Sequence, residues 1–135
     1  MRMDPKTLRY APTHEWAALA GDVVTLGVTA FAAEQLGDVT LVEFKKPGTR
    51  VEANGSVGEI EAVKSVSDVY APVAGEIVET NDAAVNAALN DDSKALAGDP
   101  YGKFWLVKLK VAAGTKLDHL MTAEQYAQQL ASEGH

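Results

Sequence analysis

The chain has 135 residues, no cysteine and a formal net charge of −7 at pH 7. This length suits one domain with its own hydrophobic core, and we expect residues 1–135 to form a single domain. The acidic balance opposes nucleic-acid binding, which needs clustered Lys and Arg, and the lack of cysteine excludes disulfides and thiolate chemistry. With no apolar leader and no apolar run of membrane length, the sequence predicts a cytoplasmic protein without a membrane partner.

The N-terminal part predicts strands and one short helix. Residues 16–19 and 23–28 are rich in apolar residues and are separated by Gly21-Asp22, a dipeptide typical of hairpin turns. Thr29 is a suitable N-cap for a helix that ends at Gly37, a residue that tolerates left-handed backbone. Residues 39–44 alternate apolar and polar side chains, which predicts a further strand.

The middle of the chain predicts a hairpin around one lysine. Beta-branched and aromatic residues favour extended backbone on both sides of Lys64, which places it at the tip. A second strand pattern follows in residues 75–80. The tripeptide Gly-Glu-Ile occurs in both runs, at residues 58–60 and 75–77, and this echo suggests a quasi-twofold sandwich with the lysine at one end.

The C-terminal part is less regular. Residues 81–98 are rich in Ala, Asn and Asp, so helix and loop compete there. Residues 104–111 alternate apolar side chains with lysines and predict a half-buried strand. Thr122 and Gln125 fit a capping box that starts a terminal helix. The predicted fold is therefore mainly β, with short flanking helices and a C-terminal helix.

No catalytic constellation is visible, so we expect a protein that is not an enzyme. The three histidines, His14, His119 and His135, lie far apart and lack metal-ligand spacing. No glycine pattern forms a phosphate-binding loop. A turn lysine is ordinarily only a solvated charge, but its amine becomes a neutral amide when it is acylated, and the chain would then carry a group.

Several blocks resemble the glycine cleavage H-protein family, in the order and spacing of that family from about Leu8 to Tyr126. They are Tyr-Ala-Pro-Thr-His-Glu-Trp at 10–16, Gly-Val-Thr at 27–29, Leu-Gly-Asp at 36–38, the lysine segment at 58–77, and Asp-Pro-Tyr-Gly with Trp-Leu between 99 and 106. Val63 and Ser65 flank the lysine, whereas biotin carriers have Met there. No Asp stands directly before it, unlike in the lipoyl domains of 2-oxo acid dehydrogenases.

The resemblance implies a barrel-sandwich hybrid fold of the lipoyl- and biotinyl-carrier kind, with lipoic acid in amide linkage to Lys64 and Glu61 recognised during lipoylation. It also implies that the arm receives the aminomethyl group of glycine from a pyridoxal-phosphate glycine decarboxylase. A tetrahydrofolate-dependent aminomethyltransferase then takes the methylene, and an FAD-containing dihydrolipoamide dehydrogenase restores the disulfide. A lipoyltransferase or lipoate ligase is the remaining implied partner.

In this family the loaded arm folds into a cleft of the carrier, and the matching positions here are Thr13, Glu15, Gln35 and Asp68. Two carboxylates suit a cationic amine, and Thr13 can add a hydrogen bond. Gln35 stands where plant relatives can have His. The alternative for Glu15 and Asp68 is that they are ordinary surface charges.

Two other functions remain open from the sequence. One is a relay that donates lipoate to other lipoyl domains, and the other is an interaction module with an unmodified lysine. The mass of the intact protein distinguishes the second from a carrier.

Overall fold

The computed structural model describes residues 3–90 and 94–133, in which the strands form two antiparallel sheets. The strands are β1 (Arg9–Tyr10), β2 (Glu15–Ala20), β3 (Val23–Val28), β4 (Val39–Phe44), β5 (Arg50–Val51), β6 (Ser56–Ala62), β7 (Val66–Tyr70), β8 (Gly75–Thr80) and β9 (Val107–Lys110). One sheet has the order β1-β2-β3-β9-β8-β5 and the other β4-β6-β7. The helices are α1 (Ala30–Leu36), α2 (Asp82–Leu89), α3 (Ala95–Gly98) and α4 (Ala123–Ser132). The predicted mainly β fold with a C-terminal helix is confirmed.

The repeated Gly-Glu-Ile tripeptide occurs once in each of the two sheets. Its first copy lies in β6, the central strand of the smaller sheet, and its second lies in β8, between β9 and β5. Ile60 and Ile77 are both fully buried in the same hydrophobic core. Each glycine faces a neighbouring strand so closely that an added Cβ would lie 2.3 Å from the Glu43 carbonyl oxygen or 2.6 Å from that of Lys110. Both sheets thus use the small residue for the same close approach.

The first hairpin and helix form as predicted, although β2 is longer at both ends than residues 16–19. Ala20 pairs with Val23 across the two-residue turn. The Thr29 side chain accepts a hydrogen bond from the backbone N–H of Ala32 at 3.2 Å, which caps α1. Gly37 ends the helix with a φ of 72°, in the left-handed region that glycine adopts without steric cost.

The predicted strand over residues 104–111 is too long by three residues at its start and by one at its end, because β9 spans Val107–Lys110. The side-chain amide of Asn81 donates to the carbonyl oxygens of Lys103 at 2.7 Å and of Trp105 at 2.6 Å. These two carbonyl oxygens are therefore bound to the buried Asn81 side chain and not to a neighbouring strand. The alternation of apolar and polar residues does not predict such a contact.

The ambiguous segment 81–98 forms α2 and α3, and residues 91–93 lie outside the described part of the chain. The capping box at the start of α4 is confirmed, with reciprocal hydrogen bonds between Thr122 and Gln125. Tyr126 is buried and the half-buried Leu130 packs against the same cluster, as predicted. None of the helices in the described residues is long and apolar enough to cross a membrane.

Candidate functional site

Lys64 lies at the tip of a β-hairpin, as the sequence predicts. Strands β6 and β7 pair antiparallel up to Glu61 and Val66, and residues 63–65 connect them. The backbone N–H of Ala62 donates to the Ser65 carbonyl oxygen at 2.8 Å and closes the turn. All three loop residues are exposed, so the lysine amine is accessible to a modifying enzyme.

Two apolar side chains beside the lysine are also exposed, Val63 by 70% and Val66 by 58%. The backbone N–H of Val63 donates to the Asp38 carbonyl oxygen at 3.0 Å. This bond ties the hairpin tip to the segment that follows α1. The lysine therefore projects from a loop that is held at both its base and one side.

A cavity of about 250 Å³ adjoins the lysine. Gln35 and Glu34 from the end of α1 line it, together with Lys64 and the exposed Lys94. Gln35, predicted to be an arm-cleft residue, therefore lines the same cavity as Lys64. Two lysines therefore line the cavity, but only Lys64 lies at the tip of a hairpin.

Glu15 is almost completely buried, with 2% of its surface exposed. Its Oε1 accepts a hydrogen bond from the Thr13 hydroxyl, and its Oε2 accepts one from the backbone N–H of Tyr70 at 3.0 Å. The reading of Glu15 as a surface charge is therefore wrong. The carboxylate joins the β2 strand to the end of β7.

Burial raises the pKa of Glu15, and its hydrogen bonds to Thr13 and Tyr70 act in the opposite direction. Burial dominates because removing a carboxylate from water disfavours the charged form. A cationic group that entered beside Glu15 would offset this penalty. A positive charge beside Glu15 would therefore stabilise the charged carboxylate more than a neutral group would.

Asp68 is exposed on β7, in contrast to Glu15. Its two oxygens accept hydrogen bonds from the Ser56 hydroxyl at 3.2 Å and from the Tyr70 hydroxyl at 3.4 Å. The surface-charge reading fits its exposure. Its two hydrogen-bond partners nevertheless orient the carboxylate.

Tyr70 is the residue that sequence reasoning missed. Its backbone binds Glu15 and its hydroxyl binds Asp68, so it joins the two predicted carboxylates. The available signal was its position two residues after Asp68 on the same strand, where alternate residues share a face. The structure thus gathers Thr13, Glu15 and Asp68 around Tyr70, while it places Gln35 beside Lys64.

Glu61 is exposed on β6 next to the loop, opposite Val66. Glu59, two residues earlier, is also exposed and pairs with Asp68. No group of three or more His, Cys, Asp or Glu side chains suited to a metal occurs among residues 3–90 and 94–133. His135 lies outside the described residues.

Comparison with known proteins relates the whole arrangement to one family. The family described as "Glycine cleavage H-protein" matches residues 8–133. A glycine cleavage system H protein of Thermobifida fusca (strain YX) is 46% identical over 96% of this chain and 98% of its own length. One from Geobacillus thermodenitrificans (strain NG80-2) is 44% identical over 91% of this chain and 93% of its own. The crystal structure of a glycine cleavage system H protein from Mycobacterium marinum has a TM-score of 0.80 and 39% identity, covering 95% of this chain and 99% of that chain.

Proposed function

Because the chain belongs to the glycine cleavage H-protein family, we propose that it carries lipoate as an amide on Lys64 and moves the aminomethyl group of glycine between enzymes. The observation that carries the proposal is the exposed lysine at the hairpin tip, next to a cavity of about 250 Å³. Lipoate, when bound, supplies a disulfide that is reduced as it takes up the aminomethyl group and is later reoxidised.

The residues of the site fit that cargo. The aminomethyl group carries a cationic amine, and the buried Glu15 is a carboxylate whose charged form lacks solvation. Thr13 and the Tyr70 backbone orient its two oxygens, and Asp68 adds a second, exposed carboxylate. Exclusion of water at Glu15 would both strengthen the ion pair and slow hydrolysis of the adduct.

The partners we propose are those of the glycine cleavage system: the pyridoxal-phosphate glycine decarboxylase, the tetrahydrofolate-dependent aminomethyltransferase and the FAD-containing dihydrolipoamide dehydrogenase. A lipoyltransferase or lipoate ligase would modify Lys64. The chain itself then acts as a mobile substrate, since a tethered group reaches an effective concentration in the mM range at each partner. We propose that it acts in the cytoplasm.

Peptide mass spectrometry after expression with a lipoate ligase tests the attachment. We expect a lipoyl amide on Lys64 and its complete loss in Lys64→Arg. Lys94 lines the same cavity and is also exposed, so Lys94→Arg is the matched control and should be modified normally. Lipoate on Lys94 instead of Lys64 would refute the assignment of the attachment site. Lipoate on neither lysine would refute the carrier proposal and favour an unmodified interaction module.

Two variants, at Glu61 and at Glu59, test how the modifying enzyme recognises the hairpin. Glu61 and Glu59 are exposed on the same strand and point to the same face. Glu61→Gln should slow lipoylation by about tenfold, the effect of losing one charge-assisted contact. Glu59→Gln should leave the rate unchanged, and equal rates for both variants would remove Glu61 from the recognition site. A relay function would instead require transfer of labelled lipoate to a second lipoyl domain.

A further inference from the structure

One phenol hydroxyl lies where three segments of the chain meet. Tyr126 of α4 is buried, and its hydroxyl oxygen is 2.7 Å from His14 Nδ1 and 2.7 Å from Thr29 Oγ1. His14 precedes β2, and Thr29 is the N-cap of α1. The C-terminal helix therefore contacts both segments that supply the candidate site.

We propose that Tyr126 and His14 are positioning residues of the carrier site, through which α4 sets the position of the Thr13 and Glu15 side chains. This inference rests on the proposed function for its purpose. Its geometry is independent of whether Lys64 is modified.

His14 lies between the two residues that it is proposed to place. Its backbone has a φ of 76°, in the left-handed region that is uncommon for residues other than glycine. The His14 carbonyl oxygen accepts a hydrogen bond from the Thr29 N–H at 3.0 Å, and its ring lies 5.0 Å from that of Phe31. Contacts on both backbone and ring thus hold a conformation that would otherwise relax. Relaxation of His14 would move Thr13 and Glu15 with it.

Helix α4 makes a second contact with the same turn. The Gln129 side-chain amide donates to the Pro12 carbonyl oxygen at 3.1 Å. The turn is therefore attached to one helix at Pro12 and at His14, on either side of Thr13. Two attachments resist rotation of the turn, which a single contact would allow.

The Tyr126 hydroxyl is also connected to the cavity beside Lys64, through helix α1. The Thr29 side chain bonded to Tyr126 also accepts from the backbone N–H of Ala32. The seven-residue helix α1 starts at this cap, and Gln35 near its end lines the Lys64 cavity. The pKa of Tyr126 is raised to about 12, chiefly by burial, so the phenol keeps its proton near neutral pH.

Tyr10 provides a matched control for Tyr126. The two rings are stacked with centroids 4.7 Å apart and planes 5° apart. The Tyr10 hydroxyl donates to the Pro5 carbonyl oxygen, on a segment that contributes no residue to the candidate site. Tyr126→Phe and Tyr10→Phe therefore each remove one buried hydroxyl from the same stack, but only the first touches the turn.

The test is an NMR titration of the unmodified protein. In Tyr126→Phe we expect the pKa of the Glu15 carboxyl to fall by about half a unit or more. A loosened turn admits water, and burial is the largest cause of the raised pKa, so its loss should outweigh the opposite effect of a weakened Thr13 hydrogen bond. The amide resonance of Tyr70, which donates to Glu15, should shift as well. Tyr10→Phe should change neither, although it also loses stability. Equal effects of the two variants, or no effect of either, would overturn the proposal.

A second variant keeps the test decisive if Tyr126→Phe does not fold. His14→Asn removes the ring while keeping a residue that tolerates left-handed backbone, and the same shifts at Glu15 and Tyr70 are expected. Protein lipoylated and loaded with the aminomethyl group should also lose it several-fold faster in Tyr126→Phe than in Tyr10→Phe. If Lys64 proves unmodified, the proposed function fails, but the titration of unmodified protein still decides whether these residues position Glu15.

Discussion

Glu15 is a carboxylate that the fold withdraws from water, and this has a consequence for stability. Its pKa is raised by burial, so the folded protein binds a proton at pH values where the unfolded chain has released it. The free energy of unfolding should therefore fall as pH rises above the ordinary Glu value of about 4.3 and through the folded pKa, with a slope of at most about 1.4 kcal/mol per pH unit. Above the folded pKa this contribution should be constant.

Urea unfolding of Glu15→Gln over the same pH range tests whether Glu15 causes the predicted fall in the free energy of unfolding. The variant has no proton to lose at this position, so the descending component should disappear. Glu59→Gln removes one exposed acid and should keep the wild-type profile. A Glu15→Gln curve parallel to the wild type would mean that the carboxyl is not desolvated.

The two carboxylates near Tyr70 should contribute unequally to protection of the cargo. A charge-assisted hydrogen bond is worth about 1.5–3 kcal/mol where water is excluded, so Glu15→Gln should speed loss of the aminomethyl group by roughly ten- to hundredfold. Asp68 is exposed, and solvent screening should leave Asp68→Asn with a much smaller effect. Ammonia and formaldehyde release from loaded protein measures both. Equal release from wild type and Glu15→Gln would place the arm in solvent.

At the scale of elements, the two sheets depend on close backbone approach at a glycine in each. An alanine Cβ at Gly58 would meet the Glu43 carbonyl oxygen at 2.3 Å, and backbone cannot rotate away as a flexible side chain can. We expect Gly58→Ala to lower the free energy of unfolding by about 1–3 kcal/mol or more.

Gly98 at the end of α3 is the control for this substitution. Apart from its chain neighbours and the backbone of its own helix, no heavy atom lies within 4 Å of an added Cβ there. Gly98→Ala should therefore change stability by only about 0.5 kcal/mol, in the stabilising direction. Denaturant unfolding of the two variants measures the difference. A Gly58→Ala protein as stable as wild type would mean that β4 and β6 separate without cost.

At the scale of the whole molecule, the carrier role and the stability of the fold should be separable. Lys64 is exposed in a loop, so Lys64→Arg should change the free energy of unfolding by no more than about 0.5 kcal/mol. Arginine keeps the positive charge but cannot form the lipoyl amide. The variant should therefore abolish glycine decarboxylation in a reconstituted system while melting like wild type. Activity that survives in a folded Lys64→Arg protein would exclude the swinging-arm mechanism.

Much of the local structure follows from the sequence alone. The caps at Thr29 and Thr122, the turn at Gly21 and the hairpin around Lys64 all depend on residues within a few positions of one another. Short-range sterics and hydrogen bonds determine such features. The family blocks likewise predict the carrier lysine and the four cleft residues without any knowledge of their contacts.

Tertiary structure alone decided which of those residues are buried and what they touch. Glu15 and Asp68 are both acidic in the sequence, yet one is enclosed by β7 and the other faces solvent, because burial depends on strands that pair from distant parts of the chain. The shortened start of β9 follows from the Asn81 side chain, more than 20 residues earlier. The contact of Tyr126 with His14 spans 112 positions. Tertiary packing brings such pairs into contact, and no local sequence pattern determines which distant segment packs against a given residue.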